Sequence, residues 1–248
     1  MKNFYFLSGF MRCGNTVLTS LVNQNPDLCI TPNSITPEIM FKLHELKQSF
    51  IFKEQKDEKS LDSVIKDVLP SYYKNWKQKH IIERGPWGTP FNYAALKEAG
   101  YLPSKFIFLV RPVKEILASF IKTRRPKKTE LETFCDFLMQ EEVGPIGKSL
   151  FAYNYLVENK EKIHIIKYHE LCKNPEKILK DLYKFLEIDY YPKHRFTKLK
   201  QVDTSLGRQT KIRTDKVELK KYDYDLWIPK TTLKKYENSL IYPGSTNK

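Results

Sequence analysis

One short stretch near the start of the chain brings together residue types that bind anions. Residues 8–16 read Ser-Gly-Phe-Met-Arg-Cys-Gly-Asn-Thr, so that four residues separate Gly9 from Gly14 and Thr16 follows. Glycines let a backbone wrap closely around an anion, and the unpaired N–H groups at a helix start point toward it. Arg12 adds a positive charge within the loop. The spacing Gly-x4-Gly-x-Thr is that of a phosphate-binding loop, and it predicts an anion site.

The residue before Thr16 separates this stretch from the loops of ATP-using enzymes. Asn15 stands where a P-loop kinase carries lysine. The sequence also shows no clear Walker-B carboxylate, so a P-loop kinase is a weak alternative. A strand, a tight turn and a helix with two glycines also occur as a purely structural unit. The loop therefore needs support from other segments of the chain.

The elements that would position this loop alternate between strands and helices. Residues 4–7 form an apolar run that predicts a buried strand, and the next apolar residues fall on one face of a helix. Further strands are predicted over residues 79–83, 105–110 and 162–167. Helices are predicted over residues 36–77 (mostly helical), 90–100, 129–141 and 146–160, and after Pro112 and Pro175. Residues 23–32 carry turn residues and predict a loop.

This alternation predicts an α/β fold with a central parallel β-sheet flanked by helices, in a P-loop-like topology. The 248 residues are enough for one large domain with a real core. We expect residues 1–248 to form that single domain. Residues 36–77 form a charged helical excursion within it, and the pattern becomes less regular from about residue 190 to residue 248.

The chain is strongly basic, with 43 Lys and Arg against 29 Asp and Glu and a net charge of +14. The lysines are spread along the chain, which favours a generally anion-attracting surface over a disordered basic arm. A lysine-rich solvated surface without a binding role explains the charge equally well. If the excess is functional, the partner is a nucleic acid, an anionic cofactor or an acidic substrate. An anion- or nucleic-acid-binding protein without catalysis is therefore one alternative.

The cysteines and the hydropathy limit the remaining classes. The four cysteines have no CxxC spacing and no histidine cluster beside them, so no metal site is expected. Reduced thiols predict a cytoplasmic protein, with Cys13 a small loop residue rather than a reactive thiol. No apolar run approaches the roughly 18 residues of a membrane span. The chain begins with a strand pattern, which does not resemble a signal peptide.

Three separated segments, spanning roughly residues 4–188, resemble the sulfotransferases that use 3′-phosphoadenosine-5′-phosphosulfate (PAPS). Residues 8–16 are similar to the family motif Ser-Gly-x-Pro-Arg-Ser-Gly-Ser/Thr-Thr, which holds the 5′-phosphosulfate. Arg111 ends a strand and Ser119 follows eight residues later, as in the pair that grips the 3′-phosphate. Tyr168-His169-Glu170-Leu171 and the Asn-Pro pair at 174–175 resemble the third motif, which would place Tyr168 near the adenine.

The resemblance implies a cofactor site and a reaction. A basic run over residues 207–213 is a loose counterpart of the family's C-terminal contact with the 3′-phosphate. The implied cofactor-binding residues are Arg12, Cys13, Gly14, Asn15, Thr16, Arg111, Ser119, Tyr168, Arg208 and Arg213. The implied activity is in-line transfer of a sulfuryl group from PAPS to a hydroxyl or amine acceptor, leaving the product PAP and needing no metal.

The acceptor and the state of the site stay open at the level of sequence. The acceptor is a small molecule, a carbohydrate or a peptide, and the basic surface favours an acidic one. No obligate nucleic acid is expected, and the oligomeric state is undetermined. Met11, Cys13 and Asn15 depart from the family motif. A catalytically degenerate member that binds but does not transfer is therefore a further alternative.

The reaction needs cationic stabilisation and a base that takes the acceptor proton. Arg12 is the predicted catalytic cation. Glu83, at a strand end before a Gly/Pro loop, is the first candidate base, Glu38 the second and His44 the third. Arg84 has two possible roles, holding the neighbouring carboxylate or holding the substrate. Trp87 is either a stacking surface for a ring or a buried anchor.

Overall fold

A computed structural model describes residues 2–55, 57–197, 199, 217–219 and 227–236. Within these ranges the strands form one five-stranded sheet in the order β2-β3-β1-β4-β5, and every pairing is parallel. The strands are β1 (Asn3–Leu7), β2 (Leu28–Ile30), β3 (His80–Arg84), β4 (Lys105–Val110) and β5 (Lys162–Lys167). The predicted α/β fold with a parallel sheet and P-loop-like topology is confirmed.

Helices connect the strands and cover the sheet. They are α1 (Asn15–Val22), α2 (Thr36–Leu46), α3 (Phe50–Gln55), α4 (Glu58–Tyr72), α5 (Pro90–Glu98), α6 (Val113–Arg124), α7 (Leu131–Met139), α8 (Gly147–Glu158), α9 (Tyr168–Lys173), α10 (Pro175–Leu186) and α11 (Lys230–Lys235). A 3₁₀-helix, Lys128–Glu130, precedes α7. In the described part of the chain, no helix combines the length and apolar character needed to cross a membrane.

Strand β4 is buried on both faces, as strands inside a parallel sheet commonly are, whereas the edge strand β5 is largely exposed. Residues 106–110 of β4 are fully buried, which explains their uninterrupted apolar run. The central strand β1 pairs with β3 on one side and with β4 on the other. Leu7, at the end of β1, is opposite Arg84 in β3 and Ile107 in β4. The loops after these strands therefore emerge from one edge of the sheet.

The loop predicted over residues 23–32 is wrong in part, because β2 lies within it. Three residues are too few to show a periodic pattern, and the surrounding turn residues mask them. Leu28, Cys29 and Ile30 pair with β3. On the open side of this edge strand, the Asn23 side chain donates to the Ile30 carbonyl at 3.1 Å and accepts from the Ile30 amide at 2.7 Å. A side-chain amide thus replaces a neighbouring strand.

The core makes a direct prediction about stability. Ile107→Ala in the buried strand β4 should lower the free energy of unfolding by roughly 2–4 kcal/mol, because it removes a fully buried side chain and leaves a cavity. Ile165→Ala in β5, where the side chain is 38% exposed, should cost less than about 1 kcal/mol. Urea unfolding of both variants measures the difference. Equal losses would contradict the assignment of β4 as the buried centre.

Candidate functional site

The loop between β1 and α1 has the backbone of an anion-binding turn. Arg12 and Gly14 both lie in the left-handed region, with φ of 66° and 93°. Gly14 caps α1, and a Cβ atom at this position would overlap the ring of Tyr168. The Asn15 side chain donates to the Phe10 carbonyl at 2.8 Å. Asn15 therefore braces the loop from inside, while the first amides of α1 have no partner within the helix.

The β1–α1 loop and the segment that carries Arg111 and Ser119 meet at the edge of the sheet. Arg12 Nε donates to Ser119 Oγ at 3.1 Å, and its NH2 atom donates to Thr123 Oγ1 at 3.0 Å. Arg111 NH1 donates to the Arg12 carbonyl at 3.4 Å. We call Arg12, Arg111 and Ser119 the cationic cluster. Two guanidinium groups and a hydroxyl in such proximity form a natural binding site for a phosphate.

Arg111 is held by Glu115 and by two residues of the third motif, His169 and Tyr168. It is buried, and its Nε donates to Glu115 Oε2 at 2.6 Å. Glu115 is also buried and contacts His169 Nε2 at 2.9 Å. The Tyr168 ring lies on the other side, 4.5 Å from the Arg111 Cζ atom. A buried charge needs a partner with good geometry, and here the partner also fixes the direction of the guanidinium.

Three further predicted residues differ in their surroundings. Cys13 is buried, and burial raises the pKa of its thiol well above the ordinary value, so it is neutral and fills space beneath the loop. Thr16 is partly exposed in the first turn of α1. Tyr168 is buried against Gly14 and Arg111, and its hydroxyl donates to the Glu218 carbonyl at 3.4 Å. Its predicted place beside an adenine stays a prediction, and Arg208 and Arg213 lie outside the described residues.

A cavity of about 300 Å³, the inner cavity, opens on the other side of the loop. Ser8 lines this cavity, and its hydroxyl accepts a hydrogen bond from the Gly88 amide at 2.9 Å. Arg84 lines this cavity, and partial burial lowers the pKa of its guanidinium. The lining residues are Leu7, Ser8, Gly9, Met11, Asn15, Asn33, Ser34, Arg84, Gly85, Pro86, Thr89, Phe108, Pro145, Lys148, Ser149 and Ala152.

A larger cavity of about 770 Å³, the outer cavity, adjoins the inner one. The two share Pro86, Thr89 and Lys148 in their walls. The outer cavity is lined by Pro37, Glu38, Phe41, Pro86, Thr89, Pro90, Phe91, Asn92, Glu141, Glu142, Lys148 and Phe151. A compound held in the outer cavity can therefore extend into the inner cavity and reach the loop.

The three candidate bases occupy different environments. Glu83 is fully buried, lines neither cavity and accepts hydrogen bonds from Thr31 (2.8 Å), Tyr73 (2.7 Å) and Thr36. His44 also lines neither cavity, and its Nδ1 lies 2.8 Å from Glu98 Oε2. Glu38 is exposed and lines the outer cavity. Of the three, only Glu38 lies where it can meet a bound compound.

Other residues near the site differ in how clearly the sequence indicated them. Glu115 is four residues from Arg111, and this helical spacing of opposite charges was a readable sign of pairing. Lys148 and Phe151 reach the cavities from α8, which no local pattern indicated. Of the two roles predicted for Trp87, the structure agrees with the buried anchor. Trp87 is fully buried, and its ring centroid lies 5.2 Å from that of Phe6.

The fold and the loop define a P-loop-like α/β protein with an anion site at the sheet edge, and comparison with known proteins identifies its family. The family model described as the sulfotransferase domain matches residues 3–218. The chain belongs to the sulfotransferase family, as the motifs predicted. No curated protein sequence matches the chain significantly.

Solved structures show the same fold at low sequence identity. A mouse sulfotransferase complexed with PAP matches with a TM-score of 0.55 and 14% identity, covering 96% of this chain and 81% of its own. A sulfotransferase from Alicyclobacillus acidocaldarius has a TM-score of 0.51 and 16% identity, covering 76% of this chain and 82% of its own. The sulfotransferase domain of the Synechococcus PCC 7002 olefin synthase has a TM-score of 0.50 and 17% identity, covering 77% and 76%.

The burial of Glu83 predicts a pH dependence of stability. Desolvation raises the pKa of its carboxyl above the ordinary 4.5, although the hydroxyl donors oppose this. The folded state therefore binds this proton more tightly than the unfolded state, and the contribution to stability is full below pH 4.5. It is lost as the pH rises through the raised pKa. Wild type should lose stability over this interval relative to Glu83→Gln.

Urea unfolding at a series of pH values from about 4 to about 8 measures this difference. Glu158→Gln changes an exposed carboxylate and should keep the pH profile of the wild type. A wild-type profile parallel to that of Glu83→Gln would show that the Glu83 carboxyl titrates normally.

Proposed function

We propose that this sulfotransferase transfers a sulfuryl group from PAPS to a hydroxyl of a small acceptor. The observation that supports this most strongly is the cationic cluster, in which residues from two distant segments converge beside the β1–α1 loop. A nucleotide with phosphates on its 3′ and 5′ oxygens needs two anion sites close together. The loop amides and the cationic cluster provide two such sites.

The residues fit PAPS by their chemistry. Arg111 and Ser119 present a guanidinium fork and a hydroxyl, which suit a terminal 3′-phosphate. The first amides of α1 and the Thr16 hydroxyl suit the 5′-phosphosulfate. Arg12 supplies positive charge between the 3′-phosphate site and the 5′-phosphosulfate site. A mouse sulfotransferase of similar fold was solved with PAP, which supports PAP as the kind of ligand to test.

When bound, PAPS supplies an activated sulfuryl group, whose bond to the 5′-phosphate oxygen breaks as the acceptor oxygen bonds to sulfur, leaving PAP. The amides of the loop and Arg12 stabilise the charge on the departing phosphate. Arg84, in the wall of the inner cavity, stabilises the charge on the sulfuryl oxygens. The residues around Ser8 and Gly88 keep the loop and the cavity in a fixed relation. Positioning and charge thus account for the catalysis.

We propose Glu38 as the base that accepts the acceptor proton. It lines the outer cavity, and the proton passes from the acceptor hydroxyl to its carboxylate. Glu83 then acts as a positioning residue, because its hydroxyl donors come from the end of β2, from α2 and from the C-terminal side of α4. Glu83 thereby holds the helix that carries Glu38 against the sheet.

We further infer a single cytoplasmic domain. The family match over residues 3–218 and the burial of Ile228 beyond it favour one domain over residues 1–248. All four cysteines have free thiols. Unpaired thiols suit a reducing compartment.

The cofactor site predicts selective binding of PAP. Arg111→Lys keeps a positive charge beside Glu115 but loses the guanidinium fork, so PAP affinity should fall roughly tenfold to a hundredfold. Ser119→Ala should weaken PAP binding about fivefold. AMP, which lacks the 3′-phosphate, should bind far more weakly than PAP. Calorimetric titration of each variant with PAP and AMP measures these differences.

The matched control is Arg195→Ala, which removes an exposed arginine after α10 and should leave PAP affinity unchanged. Equal affinity for PAP and AMP, unaltered in Arg111→Lys and Ser119→Ala, would favour simple charge attraction and overturn the cofactor assignment. PAP binding without transfer to any acceptor would favour the degenerate alternative.

The base assignment predicts a loss of turnover without a loss of cofactor affinity. Glu38→Gln should lower kcat about 100-fold or more, because the amide cannot accept the acceptor proton. Its PAP affinity should equal that of wild type in the same calorimetric titration. Glu45→Gln, an exposed carboxylate on the same helix, is the control and should retain activity. Full activity in Glu38→Gln would exclude Glu38 as the base.

A further inference from the structure

An acceptor of drug-like size fits in the outer cavity, which adjoins the inner cavity at the loop. Its volume of about 770 Å³ lies in the range of small-molecule sites. It connects to the inner cavity through Pro86, Thr89 and Lys148. An acceptor hydroxyl can therefore reach the inner cavity while the rest of the molecule stays in the outer one. This inference rests on the proposed sulfuryl transfer and concerns the chemistry of its acceptor.

Aromatic side chains provide the apolar part of the cavity wall. The rings of Phe41 and Phe91 pack edge to face, with centroids 5.8 Å apart at 90°. Phe91 is 65% exposed although it is large and apolar, and Phe151 completes the wall. The Phe41 ring already attracts a cation, since Lys42 Nζ lies 5.3 Å from its centroid. Such rings bind an apolar body and also favour a neighbouring ammonium group.

The charges in the wall are mainly negative. Glu38, Glu141 and Glu142 line the outer cavity, and Lys148 is the one cation among its lining residues. None of the three carboxylates forms an ion pair with a described residue. Their field therefore acts on whatever enters the cavity. This local acidity is opposite in sign to the chain's net charge of +14.

These observations select one class of acceptor. We propose that the acceptor is a small amphiphilic alcohol or phenol that carries a protonated amine. The aromatic wall holds its apolar body, Glu141 and Glu142 attract its ammonium group, and its hydroxyl points toward Glu38 and the inner cavity. An anionic acceptor would meet three carboxylates, which like-charge repulsion disfavours. The net charge of the chain therefore does not set the charge of the acceptor.

A matched series of phenols tests this class. Tyramine, 4-ethylphenol and 4-hydroxyphenylacetate present the same nucleophile with a positive, neutral and negative tail. We expect kcat/KM to fall in that order, with tyramine preferred over 4-hydroxyphenylacetate by roughly tenfold or more. Titration of the PAP-bound protein with each phenol gives an independent measure, and its affinities should follow the same order. Added salt should reduce the preference.

Variants locate the source of the preference. The double variant Glu141→Gln/Glu142→Gln should reduce the ratio of kcat/KM for tyramine to that for 4-ethylphenol about fivefold. Glu158→Gln, an exposed carboxylate of α8 that lines neither cavity, should keep the preference of wild type. A preference that is unchanged in the double variant would overturn the assignment of these carboxylates.

The outcomes separate this inference from the proposed function. If PAP binds selectively and 4-ethylphenol or 4-hydroxyphenylacetate is the best acceptor, the amine preference is wrong while sulfuryl transfer stands. If PAP does not bind selectively, the proposed function itself fails, and the amine-acceptor inference fails with it. If tyramine is preferred and the double variant removes the preference, both hold.

Discussion

The buried ion pair between Arg111 and Glu115 is the interaction on which the anion site depends. Both side chains are almost completely removed from solvent, and the pair spans one turn at the start of α6. A guanidinium in such a place is stable only with a partner, and the hydrogen bond from its Nε to Glu115 fixes the orientation of the Arg111 group. Arg111 therefore points at the β1–α1 loop, where it contacts the Arg12 carbonyl. His169 and Tyr168 complete its surroundings from α9.

A second buried charged group is held by hydrogen bonds on the opposite side of the central strand. Glu83, the last residue but one of β3, is a buried carboxylate, and hydroxyls from three other segments donate to it. A carboxylate this deep would be unstable without those donors. The network ties the short edge strand β2 and the helices α2 and α4 to the sheet. Glu83, which the sequence ranked first as a base, is fully buried and lines neither of the two cavities.

The contrast between global and local charge bears on the choice of partner. Lysines distributed over the surface give the chain its +14 charge and attract anions from a distance. The cationic cluster adds to that field at the β1–α1 loop. The charge of the outer cavity differs from that of the surface, because three carboxylates and three aromatic rings line the cavity and lie close to any occupant. At such range, local charges outweigh the screened average of the surface.

The sequence by itself determined the parallel α/β fold, the β1–α1 loop and the family, because each is encoded in contiguous residues. Apolar runs identified β1, β4 and β5, and glycine spacing identified the loop around Gly14. The spacing of Arg111 and Ser119 also identified two of the three members of the cationic cluster, since both lie on one strand–helix unit.

Only the tertiary structure decided which groups meet across the chain. Arg12 and Ser119 are 107 residues apart, and Thr31 and Glu83 are 52 residues apart. Both contacts depend on how distant strands align, and no local pattern records that alignment. The three-residue strand β2 was hidden for the related reason that its pairing comes from β3 and from the Asn23 side chain. The acidic, aromatic character of the outer cavity arises from α2, α5, α8 and the turn before α8 together, so composition and spacing alone could not reveal it.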